Sequence, residues 1–98
     1  MSMIGTKTPD ETKDYSLDWS KDIGTDIIAA SANSVWAVSP VGVTISQSLL
    51  ASSGTLTTVW VSGGVAGQVY LVKNTITTTS GRTLTKLFRL LVENSNFL

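Results

Sequence analysis

The sequence contains no cysteine and no histidine. Without cysteine, the chain cannot build a disulfide scaffold, a cysteine metal site or a thiol nucleophile. Without histidine, it cannot build a Ser-His-Asp triad, and it lacks the commonest ligand of transition metals. We therefore predict a protein that is not an enzyme and that binds no cofactor or metal.

Charged residues are also scarce, and they are unevenly distributed. They make up 14% of the chain, against roughly 25% in an average soluble domain. Residues 27–72 carry no charge, and every acidic residue except Glu93 lies at or before Asp26. The last part of the chain is basic, with Lys73, Arg82, Lys86 and Arg89. The acidic and basic ends either meet within one molecule, meet head to tail between copies, or reflect ordinary surface scatter.

The formal net charge is +0, so no overall field attracts nucleic acid or an anionic membrane. No run approaches the roughly 18 apolar residues of a membrane span. Residues 1–10 lack the basic and apolar regions of a secretion signal. We expect no nucleic-acid or membrane partner, and a product that stays in the cytoplasm of the cell that makes it unless it leaves inside an assembly.

The 98 residues are 42% hydrophobic, with a mean hydropathy of +0.22, which is too apolar for a disordered chain. This length predicts one domain that buries only about 60–65% of its unfolded surface. A small, charge-poor domain gains stability when neighbouring proteins cover more of it. We therefore expect an interaction protein that is covered by its neighbours.

Period-2 alternation of apolar residues predicts strands, and Gly and Ser clusters separate them. Residues 1–14 are polar and predict an extended arm without a buried face; residues 94–98 form a tail. The predicted strands between them span 15–19, 27–31, 34–39, 43–46, 56–62, 68–79 and 83–92. About seven short strands in residues 15–93 indicate an all-β, antiparallel β-sandwich, with a small barrel as the alternative.

The segment 83–92 fits two patterns. Leu84, Leu87, Phe88 and Leu91 have helical spacing, whereas Leu84, Phe88, Leu90 and Val92 alternate as in a strand. The Ser80-Gly81-Arg82 hairpin signal and the threonines that follow favour a strand. We predict a strand in which Lys86 faces inward or lies near an edge.

Large apolar side chains in these strands are the candidates for a core. Tyr70 follows a glycine loop at the start of a long strand, where a tyrosine hydroxyl can bond back to the backbone and fix the corner between two sheets. Any of the three tryptophans could instead stand at a subunit interface or form a sugar-stacking platform. The core candidates are Tyr15, Leu17, Trp19, Trp36, Trp60, Tyr70, Val72, Ile76 and Phe88.

Other chemistry is weakly supported. A Ser-Lys dyad would require a buried lysine, with Lys73 the most central one, and the carboxylates at positions 10–26 lack the spacing of a calcium loop. The glycine-rich residues 63–67 have no following Lys-Ser or Lys-Thr pair, so they predict a turn and not a phosphate loop. We interpret the acidic segment as solvated surface.

Three motifs resemble a known family. They are Lys7-x-Pro9-Asp10-Glu11-x-x-Asp14-Tyr15-x-x-Asp18-Trp19, then Thr58-Val59-Trp60-Val61-Ser62-Gly63-Gly64-x-x-Gly67-x-x-Tyr70, and last Asn74-x-Ile76-Thr77-Thr78-x-x-Gly81-Arg82-Thr83. Together they resemble the fiber-tail adaptors of tailed phages. The resemblance runs from about residue 7 to residue 92, although residues 27–56 match mainly in pattern.

This resemblance implies an immunoglobulin-like fold, no enzyme activity, and a place in the virion at the tail or neck. The implied partners are other phage tail, neck and fiber proteins, and the resemblance also implies a homo-oligomer in the assembled particle, with several copies in a ring. We hypothesise that the arm 1–14 reaches onto a neighbouring subunit or tail protein by adding to a sheet edge. The interface candidates are Lys7, Pro9, Asp10, Glu11, Asp14 and Arg82. A carbohydrate-binding sandwich, a head–tail completion protein and a capsid decoration protein are the alternatives.

Overall fold

The computed structural model describes residues 3–94, which form seven strands, one short helix and one 3-10 turn. Met1, Ser2 and residues 95–98 of the predicted tail lie outside this range. Within it, no helix is long and apolar enough to cross a membrane. The elements are β1 Met3–Lys7, β2 Thr12–Asp18, α1 Ser20–Ile23, the 3-10 turn Ser31–Asn33, β3 Ser34–Ser39, β4 Val43–Leu50, β5 Leu56–Gly63, β6 Val69–Thr77 and β7 Thr83–Val92.

The strands form two sheets, one with the order β1-β7-β6-β3 and the other with the order β2-β5-β4. All neighbours are antiparallel except β1 and β7, which are parallel. The strands β2 to β7 occupy the positions of strands B to G in an immunoglobulin domain, where B, E and D lie in one sheet and C, F and G in the other. The predicted all-β sandwich is confirmed.

The core lies between the sheets because alternate residues of each strand point inward. On β6, Tyr70, Val72, Asn74 and Ile76 are buried while Val69, Leu71 and Lys73 are exposed. The segment 83–92 is a strand, as predicted, and it buries Phe88, Leu90 and Val92. Each of these apolar side chains contributes about 1.5–3 kcal/mol when fully buried.

The buried face also carries a network of polar side chains. The Trp19 indole Nε1 donates to Thr57 Oγ1 at 3.1 Å and to Asn74 Oδ1 at 3.2 Å. The Asn74 amide Nδ2 donates in turn to Ser34 Oγ at 2.9 Å and to the Val35 carbonyl oxygen at 3.2 Å. Because Trp19 directly follows β2 and the other members lie on β3, β5 and β6, the network fixes how the two sheets sit on each other.

Most core candidates lie in the core or at its edge. Leu17, Trp19, Tyr70, Val72, Ile76 and Phe88 are buried, and Tyr15 and Trp36 pack against them with part of their surface exposed. Trp60 is different: Val59 and Val61 on either side of it face the core, so Trp60 lies on the outer face of β5. Its prediction as a core residue was wrong because β5 carries apolar side chains on both faces.

The predicted arm without a buried face is a strand in its described part. Residues of β1 pair with β7 from Met3 opposite Phe88 to Lys7 opposite Val92. Gly5 makes this possible, because a Cβ atom there would lie 2.8 Å from Tyr15 Cε1. The Tyr15 hydroxyl donates to the Thr6 carbonyl oxygen at 2.8 Å, which ties β1 to β2.

The predicted strand 27–31 is an irregular segment before the 3-10 turn. It makes isolated backbone bonds in place of a ladder: the Ile28 amide donates to the Gly54 carbonyl oxygen at 2.8 Å, and the Thr79 amide donates to the Ile27 carbonyl oxygen at 2.9 Å. Its apolar residues bridge loops of both sheets, with Ile28 buried and Ile27 exposed. Hydrophobicity alone suggested a strand here.

Tyr70 fixes the corner before β6. Its side chain is buried, and its hydroxyl oxygen accepts a hydrogen bond from the Val65 amide at 3.1 Å. A Cβ atom at Gly42 would lie 2.6 Å from the same hydroxyl oxygen, so only glycine fits at that position. The sandwich corner predicted for Tyr70 is therefore present, and it packs on the connection between β3 and β4.

Candidate partner-binding surfaces

The strand register places the connecting loops at two opposite ends of the sandwich. We call one the turn end, which consists of residues 8–11, 40–42 and 64–68. We call the other the hairpin end, which consists of residues 19–33, 51–55 and 78–82. A domain with two separate loop clusters can hold a different partner at each end.

The turn 8–11 presents three of the six interface candidates in one fixed shape. The Thr8 amide donates to Glu11 Oε1 at 2.7 Å, and the Glu11 amide donates to the Thr8 carbonyl oxygen at 3.1 Å. The Thr8 hydroxyl donates to Asp10 Oδ1 at 2.6 Å. Asp10 and Glu11 are exposed, with Pro9 partly covered between β1 and β2. Because the turn is already ordered, a protein that bound it would not have to overcome the entropy of a flexible chain.

Lys7, another interface candidate, lies inside the turn end, with 1% of its side chain exposed. Its Nζ atom donates to the Thr8 carbonyl oxygen at 2.6 Å and to the Gly63 carbonyl oxygen. Burial lowers the pKa of Lys7, and the nearby charges of Glu11 and Asp10 oppose that shift. Lys7 thus joins the turn to the end of β5 and is not available to a partner, contrary to its prediction as an interface residue.

The two remaining candidates lie far apart from each other. Asp14 is exposed on the outer face of β2, opposite Trp60 in the register. Arg82 is exposed in the β6–β7 connection at the hairpin end. The six candidates therefore do not form one site: three share the turn, one is buried, one lies on a sheet face and one lies at the opposite end.

Lys86 closes the sandwich at the hairpin end. Its ammonium group lies 4.9 Å from the centre of the Trp19 ring and 2.6 Å from Asp22 Oδ2. It also donates to the Asp18 carbonyl oxygen at 2.9 Å. Lys86 thus occupies the inward position predicted for it, and its half-exposed ammonium group lies over an aromatic face.

Asp26 ties two loops of the hairpin end together. Its Oδ1 atom accepts hydrogen bonds from the Thr79 hydroxyl at 2.7 Å and from the Ile27 amide at 2.9 Å. Hydrogen bonds from the hydroxyls of Thr78 and Thr79 hold the pKa of Asp26 well below its usual range. The ionised carboxylate is therefore the form that stabilises this end.

We expect Asp26→Asn to make the stability of the protein less sensitive to acid. The folded-state pKa of Asp26 lies below the unfolded value of about 4, so its contribution is complete above that pH and is lost as the pH falls towards the folded-state pKa. Urea unfolding from pH 7 to pH 2 measures this effect. We expect the difference in the free energy of unfolding between wild type and Asp26→Asn to be largest near pH 7 and to decrease below pH 4. Asp14→Asn, with an equal change of charge at an exposed site, is the matched control. A difference in the free energy of unfolding that does not change with pH would contradict this role for Asp26.

The outer faces of the two sheets differ in chemistry. The outer face of β1-β7-β6-β3 exposes Val35, Val69, Leu71 and Leu87, and an open depression on it is lined by Ala37, Ser39, Leu71, Lys73 and Leu87. The signal for this surface is visible in the sequence of β6, which is apolar on both of its faces. Strands with that pattern are usually covered on both sides.

Trp36 and Trp60 are half-buried, and the indole N–H of each is shielded from solvent. Among residues 3–94, neither N–H has an acceptor. Trp36 belongs to the edge of the core, whereas Trp60 lies on the outer face of β2-β5-β4 between Asp14 and Gln47 in the register. Trp60 is thus the tryptophan placed to meet a partner.

The chain matches a known protein family over most of its length. A family model described as Podophage GP4 fiber-tail adaptor protein gp77 matches residues 7–91. No curated protein matches the chain in sequence. The family match covers the last residue of β1, the turn 8–11, the strands β2 to β6 and all but the last residue of β7.

Proposed function

The chain belongs to the podophage GP4 fiber-tail adaptor protein gp77 family, and we propose that it is a non-enzymatic joint between the phage tail and its fibers. The family match, which extends over 7–91, is the observation that carries this proposal, and it confirms the resemblance seen in the motifs. As a phage fiber-tail adaptor the protein has a structural role. Its partners are other tail and fiber proteins, and its place is the tail of the virion.

An adaptor binds two kinds of protein, and the sandwich has two separate ends that can bind them. In our proposal the turn end and the hairpin end contact different proteins, one on the side of the tail and one on the side of the fiber. The ordered turn 8–11 supports this division because it offers Pro9, Asp10 and Glu11 in a fixed arrangement. Arg82 is the charged residue of the hairpin loop at the other end.

The sandwich between the ends acts as a rigid spacer. The buried network around Asn74 and the Tyr70 corner lock its sheets together, so a force on one end is transmitted to the other. We propose that several copies form a ring, in which many weak contacts add up to a strong attachment. The protein is made in the host cytoplasm and acts without nucleic acid or membrane partners.

The link to a neighbour does not run through a free arm. Because β1 belongs to the sheet of its own chain, the described part of residues 1–14 is not available as a strand for another protein. We propose instead that the turn 8–11 makes the partner contacts of the N-terminal region.

Removing the gene from the phage and restoring it from a plasmid tests the proposed function. Particles assembled without the protein are expected to keep filled heads and tails but to lose their fibers, as counted by negative-stain electron microscopy. Plasmid-borne wild-type protein is the control, and it restores the fibers. Particles that lack the protein yet carry a normal complement of fibers would contradict the proposal. Particles without tails, or with leaking heads, would replace it with a head–tail completion role.

A further inference from the structure

The outer face of the sheet β1-β7-β6-β3 is apolar and basic. Its register places Ala37, Lys73 and Leu87 in one row, and Ser39, Leu71 and Arg89 in the next. Leu71 is 42% exposed and Leu87 is 46% exposed. Among the residues of the strands β1, β7, β6 and β3 that the structure describes, Lys73 and Arg89 are the charged side chains on this face. We call it the basic face.

The outer face of the sheet β2-β5-β4 has the opposite charge. Its register places Asp14, Trp60 and Gln47 in one row, and Leu49 lies in the next row opposite Thr58. Asp14 and Asp18 are the charged side chains that the described residues contribute to it. Leu49 is 45% exposed. We call it the acidic face.

We propose that the basic face of one copy packs against the acidic face of the next copy. This inference rests on the proposed function, which brings many copies together on one tail. In this arrangement Lys73 and Arg89 meet Asp14 and Asp18, while Leu71 and Leu87 cover Trp60 and Leu49. A tryptophan surrounded by apolar side chains and a rim of paired charges is the composition of a well-packed interface centre.

The charges select this arrangement over a two-fold dimer. A dimer through two basic faces would bring Lys73 and Arg89 against the same cations of its partner, and two acidic faces would repel each other in the same way. Contact between unlike faces is head to tail, and head-to-tail contacts form a ring when the rotation from copy to copy closes and an open filament when it does not. A ring around the tail axis is the closed form that we propose. Since the two faces lie on opposite sides of the sandwich, both ends of every copy stay free for the tail and the fiber.

Charge reversal tests the pairing of the faces in assembled particles. We expect Lys73→Glu alone and Asp14→Lys alone each to lower the number of copies per particle about tenfold or more, because like charges then oppose each other. The double variant Lys73→Glu/Asp14→Lys restores opposite charges at every contact and is expected to recover most of the copies. The matched control is Lys21→Glu, an equal change of charge on α1 at the hairpin end that leaves Lys73, Arg89 and Asp14 unchanged. Unchanged urea midpoints show that each variant folds. Normal incorporation of both single variants overturns the proposal.

Introduced cysteines test the geometry directly, since the chain has none of its own. Oxidised particles with Gln47→Cys/Leu87→Cys in each copy are expected to yield a ladder of cross-linked multimers on a denaturing gel. Each single-cysteine variant stays monomeric, as does the control pair Gln47→Cys/Ser52→Cys. A dimer from Leu87→Cys alone would overturn the head-to-tail arrangement, as would the absence of a ladder in particles that contain the protein and its fibers. Fully fibered particles that contain no copies would instead refute the proposed function.

Discussion

Trp19→Ala is expected to lower the free energy of unfolding by about 3–5 kcal/mol, the range found when a buried tryptophan is truncated in a core. Trp19 is 1% exposed, and its indole nitrogen supplies two hydrogen bonds to Thr57 and Asn74. The substitution opens a large cavity and removes both of these hydrogen bonds, while the bond from the Thr57 hydroxyl to Asn74 Oδ1 at 2.8 Å is kept. It also removes the aromatic face under Lys86.

Such a loss is a large part of the total stability. A domain of this length has a free energy of unfolding of roughly 5–15 kcal/mol, so Trp19→Ala is expected to lower the melting temperature by about 12 °C or more. Thermal unfolding followed by circular dichroism measures the shift. Trp19→Phe keeps most of the side-chain volume but removes the indole N–H, so it separates the effect of packing from that of hydrogen bonding. We expect its melting temperature to lie between those of wild type and Trp19→Ala.

Leu87→Ala is the matched control for Trp19→Ala. Leu87 is a large apolar residue on the outer face of β7, and it is 46% exposed. Its truncation in the isolated protein is expected to change the free energy of unfolding by about 0.5 kcal/mol or less. Equal effects of the two substitutions would show that Trp19 is not the centre of the core.

The second large effect is expected for Gly5→Val, with a loss of about 1–3 kcal/mol, as for other overpacked sites. The new Cβ atom would lie 2.8 Å from Tyr15 Cε1, and the Tyr15 ring has little freedom to move. That ring packs on Phe88 with centroids 5.3 Å apart, and its hydroxyl holds the Thr6 carbonyl oxygen. Either the ring must give up these contacts or β1 must leave β7.

Thr6→Val is the control for this substitution, since it places the same side chain on the exposed side of the same strand. We expect it to change the free energy of unfolding by about 0.5 kcal/mol or less. Hydrogen exchange of the β1 amides locates the effect: Gly5→Val accelerates exchange in β1, and Thr6→Val does not. Unchanged exchange and stability in Gly5→Val would show that β1 does not pack on Tyr15.

Tyr15 offers a spectroscopic check on the same packing. Burial, together with the negative charges of Glu11 and Asp14, raises the pKa of Tyr15 to about 12. A β1 strand displaced by Gly5→Val uncovers the ring, and we therefore expect the phenol to titrate at a lower pH in that variant. The ultraviolet absorbance of tyrosinate, followed as the pH rises, measures this shift.

The sequence predicts the second half of the fold well because its strands alternate clearly. The residues of β6 divide into an inner set with Tyr70 and Val72 and an outer set with Val69 and Leu71, and the structure keeps that division. The choice of a strand for 83–92 was correct because the hairpin signal at Ser80-Gly81-Arg82 pairs it with β6. Local pattern and turn chemistry agree in this region.

The sequence predicts the first half less well, because tertiary contacts decide it. Residues 3–7 carry too few apolar side chains to signal a strand, and they become one only through parallel pairing with the distant β7. Residues 27–31 carry two isoleucines but bridge loops with single backbone bonds. The total of seven strands predicted for the chain matches the described residues, although one predicted strand is absent and β1 takes its place.

The candidate surfaces were predictable where exposure follows from local sequence. Pro9, Asp10 and Glu11 form a polar turn, as their composition suggests. Lys7 was misplaced because a lysine seldom lies inside a domain, and its burial depends on carbonyl oxygens of Thr8 and Gly63. The contrast between the basic and acidic faces required the strand register, which puts residues distant in sequence side by side.

A cryo-EM map of the virion from the producing strain tests the adaptor role most directly. We predict density for this sandwich between tail and fibers, in several copies around the tail axis, with the two ends of each copy on different proteins. Density for the sandwich on the capsid shell, or its absence from fibered particles, would contradict the adaptor role.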